Sequence, residues 1–465
     1  MKKVVLSAAA LMLGTIAFAQ DNTGTSTQTG TDNAVRVRQI GTSNDVKLEQ
    51  NGDNNFVGTL QTGDNGTTTP GGDANRIISE QIGDNGTGFL QQEGDSNRIN
   101  LNQDGTFNYA DVKQGNAGRS EGNIATVNQN AGSANNAASI FQTHDENDAT
   151  INQNGTADYA RIRQSADGNN PSSPGAATEN KATITQTSTN TGTHAGSTTN
   201  ASDYNNVSFI RQNTEVDGVR NVAAIVVDGE DNYGDIKQDG DGNNATINQG
   251  DLSMVPAAYS TVNANAKSNL GKAFIVQTGD ENKAQAHQFG SGATDPSDLS
   301  VQMQLGDDNR AVVVQNAAGS SVADGNYARQ IQEGDNNTAI TQQNGRSHEA
   351  YTLQEGNTNK ATIMQQSTNG YAQISQYGDS HVASITSSQG GNANAVITQH
   401  GAVSGSGHSF SAVLTGGANN AINVHQQDAG MTFTDYTNPQ MVTSPSMKNA
   451  TNLHTDKSLT SNGYN

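Results

Sequence analysis

Glutamine returns at a step of eleven residues along most of this chain, and that period constrains its fold more than any other feature. From Gln28 the step leads to Gln39, Gln50 and Gln61. It reappears at Gln92, Gln103 and Gln114, and runs from Gln332 through Gln343, Gln354 and Gln365 to Gln376. Twenty-nine units fill residues 28–426; 26 end in Gln, and the others end at Val227, Ser387 and Leu414. Sixteen of the 28 steps between unit ends measure eleven residues, which chance does not produce. A chain of this kind builds one small element many times and packs each copy on its neighbours.

Each unit divides into a turn and a strand. The turn reads Gln-x-Gly-x-x, often with Asp after the Gly, as in Gly52-Asp53, Gly94-Asp95, Gly240-Asp241 and Gly334-Asp335. Glycine reaches positive φ without steric cost, and Asp or Asn can bond its own backbone, so the segment suits a tight reversal. The strand reads Asn-x-Ala-x-Ile-x-Gln with variation. In one unit Asn108, Ala110, Val112 and Gln114 alternate with Tyr109, Asp111 and Lys113; in another Asn97, Ile99, Leu101 and Gln103 alternate with Arg98, Asn100 and Asn102. Alternation with period two over seven residues predicts a strand with one buried face. The recurring Gly and the frequent Thr, Asn, Val and Ile disfavour helix.

A single seven-residue strand with two or three small apolar side chains cannot bury a face by itself. Two of them facing each other across a 22-residue coil can, once coil stacks on coil. The predicted fold is all-β: a two-sheet β-solenoid of 14 or 15 coils, roughly 70 Å long at one strand spacing per coil. Like residues then lie over like, and Gln and Asn amides about 4.8 Å apart can bond along the stack. This resolves a difficulty in the composition. Leu, Ile, Val and Phe make up only 76 of 465 residues, below the roughly 20% at which composition alone suggests disorder. Bonded amides complete the core that the hydrophobes leave unfinished.

The remaining segments punctuate the repeat. Lys2 and Lys3, an apolar run from Val4 to Ile16, and Ala17-Phe18-Ala19 describe a secretory signal peptide at 1–19 cleaved between Ala19 and Gln20. No later stretch reaches a membrane-spanning length. A polar leader occupies 20–27. Long steps insert loop-like sequence, notably at 165–179, 187–205 and 250–270, which is expected to bulge from the turns and leave the stack continuous. A non-repeat C-terminal tail covers 427–465.

The unit Gln-x-Gly-x-x-Asn-x-Ala-x-x-x-Gln resembles the curlin repeat of bacterial curli subunits. Gln103–Gln114 matches it in full through Gly105, Asn108 and Ala110, as does Gln238–Gln249 through Gly240, Asn243 and Ala245. So do Gln277–Gln288 (Gly279, Asn282, Ala284) and Gln304–Gln315 (Gly306, Asn309, Ala311). Gln332–Gln343 (Gly334, Asn337, Ala339) and Gln354–Gln365 (Gly356, Asn359, Ala361) complete the set. Other units depart at one position, with Asp158 and His348 for Asn, His144 for Gly, and Val35 and Ile99 for Ala. The resemblance implies export through a curli-type secretion channel with its accessory factors. It also implies assembly into extracellular amyloid fibres at the bacterial surface that support adhesion and biofilm matrix. The partners implied are further copies of the chain and other curlin-repeat subunits. Familiar curli subunits have only a handful of repeats, so a major subunit, a nucleator and a long adhesin all fit.

Other chemistry finds little footing. The net charge of −21 argues against a nucleic-acid partner held through phosphates. With no Cys there is no disulfide framework, thiolate metal site or thiol nucleophile. The nine His are scattered, with no H-x-x-x-H or H-E-x-x-H spacing, and His144, His348 and His381 read as turn substitutions. Turns that offer mostly one Asp beside amides do not make the nonapeptide calcium array of other solenoids. No cofactor and no enzymatic site is expected, since Asp and Glu sit at turns and outward positions without a local constellation. Outward Tyr109, Tyr159, Tyr233 and Tyr351 read as isolated surface aromatics. The alternative to a fibre subunit is a monomeric solenoid adhesin whose inserted loops bind a carbohydrate or a surface.

Overall fold

The structure, a computed structural model, describes residues 22–62, 75–115, 121–166, 180–188, 206–214, 219–250, 268–269, 271–289, 298–315, 325–388, 393–401, 407–415 and 420–428. The signal-peptide segment with Ala19 and Gln20, most of each insertion and nearly all of the tail lie outside these residues. Compact units divide between Gln426 and Gln427, where the repeat also ends.

Among the described residues there are 31 strands and no helix. Successive strands alternate between two sheets, and every pairing is parallel between strands one coil apart. Fifteen strands form one sheet; the other has fifteen in its path plus the two-residue strand Ser268–Asn269, which pairs beside it on Gly229 and Glu230. The fold is therefore a two-sheet β-solenoid of fifteen coils. The period-two pattern builds it directly: in the strand Lys181–Thr187, Ala182, Ile184 and Gln186 are fully buried while the residues between them are half-buried or exposed.

Register is like on like. Ala339 lies beside Ala361 and Ala361 beside Ala383, while Gln332, Gln354 and Gln376 align in the other sheet. The insertions leave this intact, because Tyr159–Ala166 pairs directly with Val207–Thr214 and places Gln164 opposite Gln212. One boundary differs from the sequence reading. Thr23–Thr29 is already a rung, pairing with Asp45–Asn51 and setting Gln28 opposite Gln50, so the expected leader at 20–27 runs into the solenoid. Its inward residues, Gly24 and Ser26, carry no apolar side chain from which a strand face could be read.

Two small apolar side chains per strand fill a thin core, typically Ala with Ile, Val or Leu. Burying each of the larger ones contributes about 1.5–3 kcal/mol. The core forms two clusters, one from Val46 to Ala311 and one from Ala350 to Leu414. Between them the second inward position turns polar, at Gln302, Gln330, Thr341 and Thr352, all buried. Gln302 Nε2 donates to Gln330 Oε1 at 3.1 Å and Gln330 Nε2 to Thr341 Oγ1 at 3.0 Å, whereas Gln302 Oε1 and Thr352 Oγ1 are buried without a hydrogen-bond partner among the described residues. The turns stack as closely as the strands. Gly334 has φ +101°, and a Cβ there would come within 2.4 Å of the Gly356 carbonyl oxygen, so both conformation and space demand glycine.

Candidate functional site

The feature that repeats along the whole solenoid is its buried amides. In one sheet fifteen Gln from Gln39 to Gln426 form an unbroken ladder, each Nε2 donating to the Oε1 of the next at 2.8–3.0 Å. Gln114, Gln332 and Gln354 belong to it. Each Nε2 also reaches a backbone carbonyl of the facing sheet, as Gln354 reaches Thr338 O at 3.1 Å and Gln114 reaches Arg98 O at 3.0 Å. A glutamine thus ties its coil to the next coil and one sheet to the other. Every bond points the same way, so the ladder has a direction.

The other sheet carries the ladder in two pieces. Gln28 to Gln186 bond in sequence, with Gln103 donating to Gln129 at 2.9 Å. Gln249, Gln288, Gln315, Gln343 and Gln365 form the second piece. Val227 sits between them, opposite Gln186 and Gln249. The Oε1 of Gln249 is buried and has no hydrogen-bond donor among the described residues. Replacing Val227 by Gln should bridge the gap and raise stability by about 1 kcal/mol. Thermal unfolding of the purified chain checks this; a lower melting temperature would mean that the column has no room for a glutamine there.

Asparagine carries the expected amide ladder over one stretch, where Asn123, Asn147 and Asn180 each donate from Nδ2 to the Oδ1 of the Asn one coil before, at 2.9–3.1 Å, and behaves differently in the full repeats. Asn282, Asn309, Asn337 and Asn359 each receive on Oδ1 the backbone N–H of the next residue in their column, at 2.9–3.0 Å. Their Nδ2 groups donate to the turn carbonyls of Gly306, Gly334, Gly356 and Gly378 one coil on, at 2.6–2.7 Å. Asn243 does the same toward Asn282 and Gly279. Asn108 accepts from Asn136 and donates to Ser133 rather than to a glycine. These side chains fasten turn to turn through main-chain groups. The six full repeats also bury Ala110, Ala245, Ala284, Ala311, Ala339 and Ala361 completely.

That role explains the departures from the repeat. At the Asn position His348 uses Nδ1 to accept the Gly370 N–H at 3.1 Å, and its Nε2 lies 3.4 Å from Asn344 O. His381 accepts the His408 N–H on Nδ1 at 2.9 Å, and its ring stacks on that of His408. Asp158 also replaces Asn and is fully buried, receiving bonds from Asn206 Nδ2 at 3.0 Å and Ser188 Oγ at 3.2 Å. Burial pushes its carboxyl up to about 7. His144 takes the left-handed conformation of a turn glycine, with φ 67°. Burial also holds the imidazole of His287 neutral, lowering it to about 4. Among the described residues no group of three His, Asp or Glu is placed to hold a metal ion.

On the outer face the aromatics are stacked rather than isolated. Tyr159, Phe209, Tyr233 and Phe274 form a column with ring centroids 5.3–5.8 Å apart. Tyr327, Tyr351 and Tyr371 form another at 5.4 and 5.6 Å, and Tyr109 lies 6.0 Å from Phe89. Such pairs contribute about 0.5–1.5 kcal/mol beyond their burial. Burial raises the Tyr371 hydroxyl to about 12.

The ladder ends, among the described residues, at Gln39 and at Gln426. Among the described residues Thr23–Thr29 and Ala34–Ile40 have a strand neighbour on one side only, as do Ser409–Thr415 and Ala421–Gln427. Inward Val35, Val37 and Gln39 mark the first end in one sheet, and Ile422, Val424 and Gln426 the last end of that same sheet. A strand edge of this kind presents unpaired N–H and C=O groups that template a further strand. A family model described as "Curlin associated repeat" matches residues 229–251 and 324–366. No curated protein matches the chain.

Proposed function

The chain carries the curlin-associated repeat, and on that premise we propose that the mature protein is a secreted, non-enzymatic structural subunit of curli-like extracellular fibres. Copies join end to end by strand addition, with export by a curli-type channel and a place in adhesion and biofilm matrix. The observation that carries this reading is the match between the two ends. The last two strands lie in the two sheets in the order that the first two strands of another copy would continue.

Laid head to tail in register, Ile422 falls over Val35 and Val424 over Val37. The Gln426 amide, which donates among the described residues only to Ser409 O at 3.3 Å, is then aimed at Gln39 Oε1. In the other sheet Phe410 falls over Gly24, a large side chain over none, and Leu414 over Gln28. The joint thus extends one glutamine ladder and buries apolar surface that each end leaves uncovered, Val37 being 42% exposed. Electron microscopy of purified mature protein tests the reading. Unbranched fibres many times longer than one solenoid are expected; discrete rods of one solenoid length at all concentrations would instead support the monomeric adhesin.

A further inference from the structure

Three tyrosines touch in a row on the outer face of the solenoid, and their hydroxyls are not equally provided for. Tyr327, Tyr351 and Tyr371 stand on successive rungs of one sheet, with ring centroids 5.4 and 5.6 Å apart. In the column of Tyr159, Phe209, Tyr233 and Phe274 each phenol instead faces rings that have no hydroxyl. Tyr351 lies over Gln373, and Glu349 lies over Tyr371. The two rings thus sit diagonally across a square of four side chains, each over the other's hydrogen-bond acceptor. Tyr351 OH donates to Glu349 Oε2 at 3.3 Å, and Tyr371 OH to Gln373 Oε1 at 2.8 Å. Tyr327 OH is buried and has no partner among the described residues.

A phenol gives up an electron readily only when its proton can leave as well. Burial and the Glu349 carboxylate raise both the Tyr351 and the Tyr371 hydroxyl, so each enters an oxidation protonated. At Tyr351 a carboxylate stands ready to take that proton. At Tyr371 an amide oxygen holds the hydroxyl, and both residues keep part of their surface in solvent. Tyr327 is as near to Tyr351 as Tyr371 is, yet its hydroxyl has neither outlet. We infer that Tyr351 and Tyr371 form an oxidative cross-linking site, at which a one-electron oxidant generated from hydrogen peroxide joins the two rings as a dityrosine.

Each ring loses one electron to the oxidant; the Tyr351 proton passes to Glu349 and the Tyr371 proton to solvent. On the outer face a rotation about χ1 and χ2 brings the carbons ortho to oxygen together, and the two phenoxyls couple there. The two ortho hydrogens then move to the phenolic oxygens, which restores both aromatic rings. In sum two phenols yield one biphenol, and the two electrons and two protons released reduce one hydrogen peroxide to two waters. The bond ties one rung to the next and restricts the unfolded chain as a disulfide would, in a sequence that has no Cys. It needs the fold of one copy only and does not depend on the fibre reading.

The test treats the full mature chain with hydrogen peroxide and a haem peroxidase, and maps the products by mass spectrometry of proteolytic peptides. One species should dominate, in which the peptides holding Tyr351 and Tyr371 are joined with the loss of two hydrogens. A mixture of isotope-labelled and unlabelled chains should give no mixed pair, since the bond lies within one copy. Tyr371→Phe should abolish the product, Tyr327→Phe should leave it at the parent's yield, and Glu349→Gln should slow its formation several-fold. Circular dichroism verifies that each variant retains the strand fold. The chain in urea supplies the reference, in which links scatter among its eleven tyrosines. The oxidised chain should also unfold at a higher urea concentration than the untreated one, a shift absent from Tyr371→Phe. Linking chiefly between Tyr327 and Tyr351, links no more selective than in urea, or no link within a folded copy overturns the site. An unchanged rate in Glu349→Gln overturns the part given to its carboxylate.

Discussion

Replacing Asp158 by asparagine should remove a loss of stability that the protein otherwise suffers between about pH 4 and pH 7. Asp158 is fully buried at a position where the repeat places Asn, and burial raises its carboxyl from 3.8 to about 7. The raised value means that the folded state holds the proton where the unfolded state has released it. Below pH 3.8 both states are protonated and the stabilisation is complete; as pH rises through 7 it is lost. A shift from 3.8 to about 7 corresponds to roughly 4 kcal/mol at most. Asparagine supplies an acceptor for Asn206 and an N–H toward Ser188 at every pH. The variant should therefore match the parent at pH 4 and exceed it by up to that amount at pH 8. Asp235, also raised to about 7 by burial, lies partly solvated on the outer face and leaves a weaker dependence of the same sign in both proteins, so the difference between them isolates Asp158. Urea unfolding at the two pH values checks it, and equal differences at pH 4 and pH 8 would mean that Asp158 is ionised in the fold.

Substituting leucine for Gln354 and Gln365 should cost far more than removing an outward charge between them. Gln354 accepts from Gln332 at 2.9 Å and donates to Gln376 at 2.8 Å and to Thr338 O. Gln365 accepts from Gln343 at 3.0 Å and donates to Glu349 O. Leucine fills the space, but it takes the acceptor from Gln332 and the donor from Gln376 at the first site and the acceptor from Gln343 at the second, where Ser387 stands on the following rung. Each such site costs about 1–3 kcal/mol, so the pair should lose roughly 2–6 kcal/mol. Lys360, exposed in the same region, should lose a few tenths on replacement by alanine. Chemical unfolding of the three proteins separates the effects; a larger loss from Lys360→Ala would overturn the assignment of inward and outward faces.

Much of this was legible because one residue marks the register. A glutamine every eleven residues fixes strand length, facing side and coil size together, and Val227, Ser387 and Leu414 take the glutamine column as the spacing requires. What escaped the sequence reading depends on neighbours that are distant in the chain. Phe209 stacks on Tyr159 across an insertion, so the aromatic column is invisible until the inserted residues are passed over and each strand is given its sheet. Asparagine bonds amide to amide as expected from Asn97 through Asn123 and Asn147 to Asn180, but in the full repeats its side chain, one carbon shorter than that of glutamine, lies at the turn. There main-chain N–H and C=O groups are nearer than the next amide. The polar seam at Gln302, Gln330, Thr341 and Thr352 follows the same rule, since these residues read as ordinary variation until register brings them together. The first rung lacks apolar residues altogether, and Gln28 alone betrays it.

The central claim is that parallel, in-register coils continue without interruption from one copy into the next. X-ray diffraction from aligned fibres of the mature chain measures this directly. Strands stacked along the axis through every joint should give a sharp meridional reflection at about 4.7–4.8 Å and an equatorial one near 10 Å from the two facing sheets. Fibres lacking the meridional reflection, or showing it at right angles to the fibre axis, would contradict it.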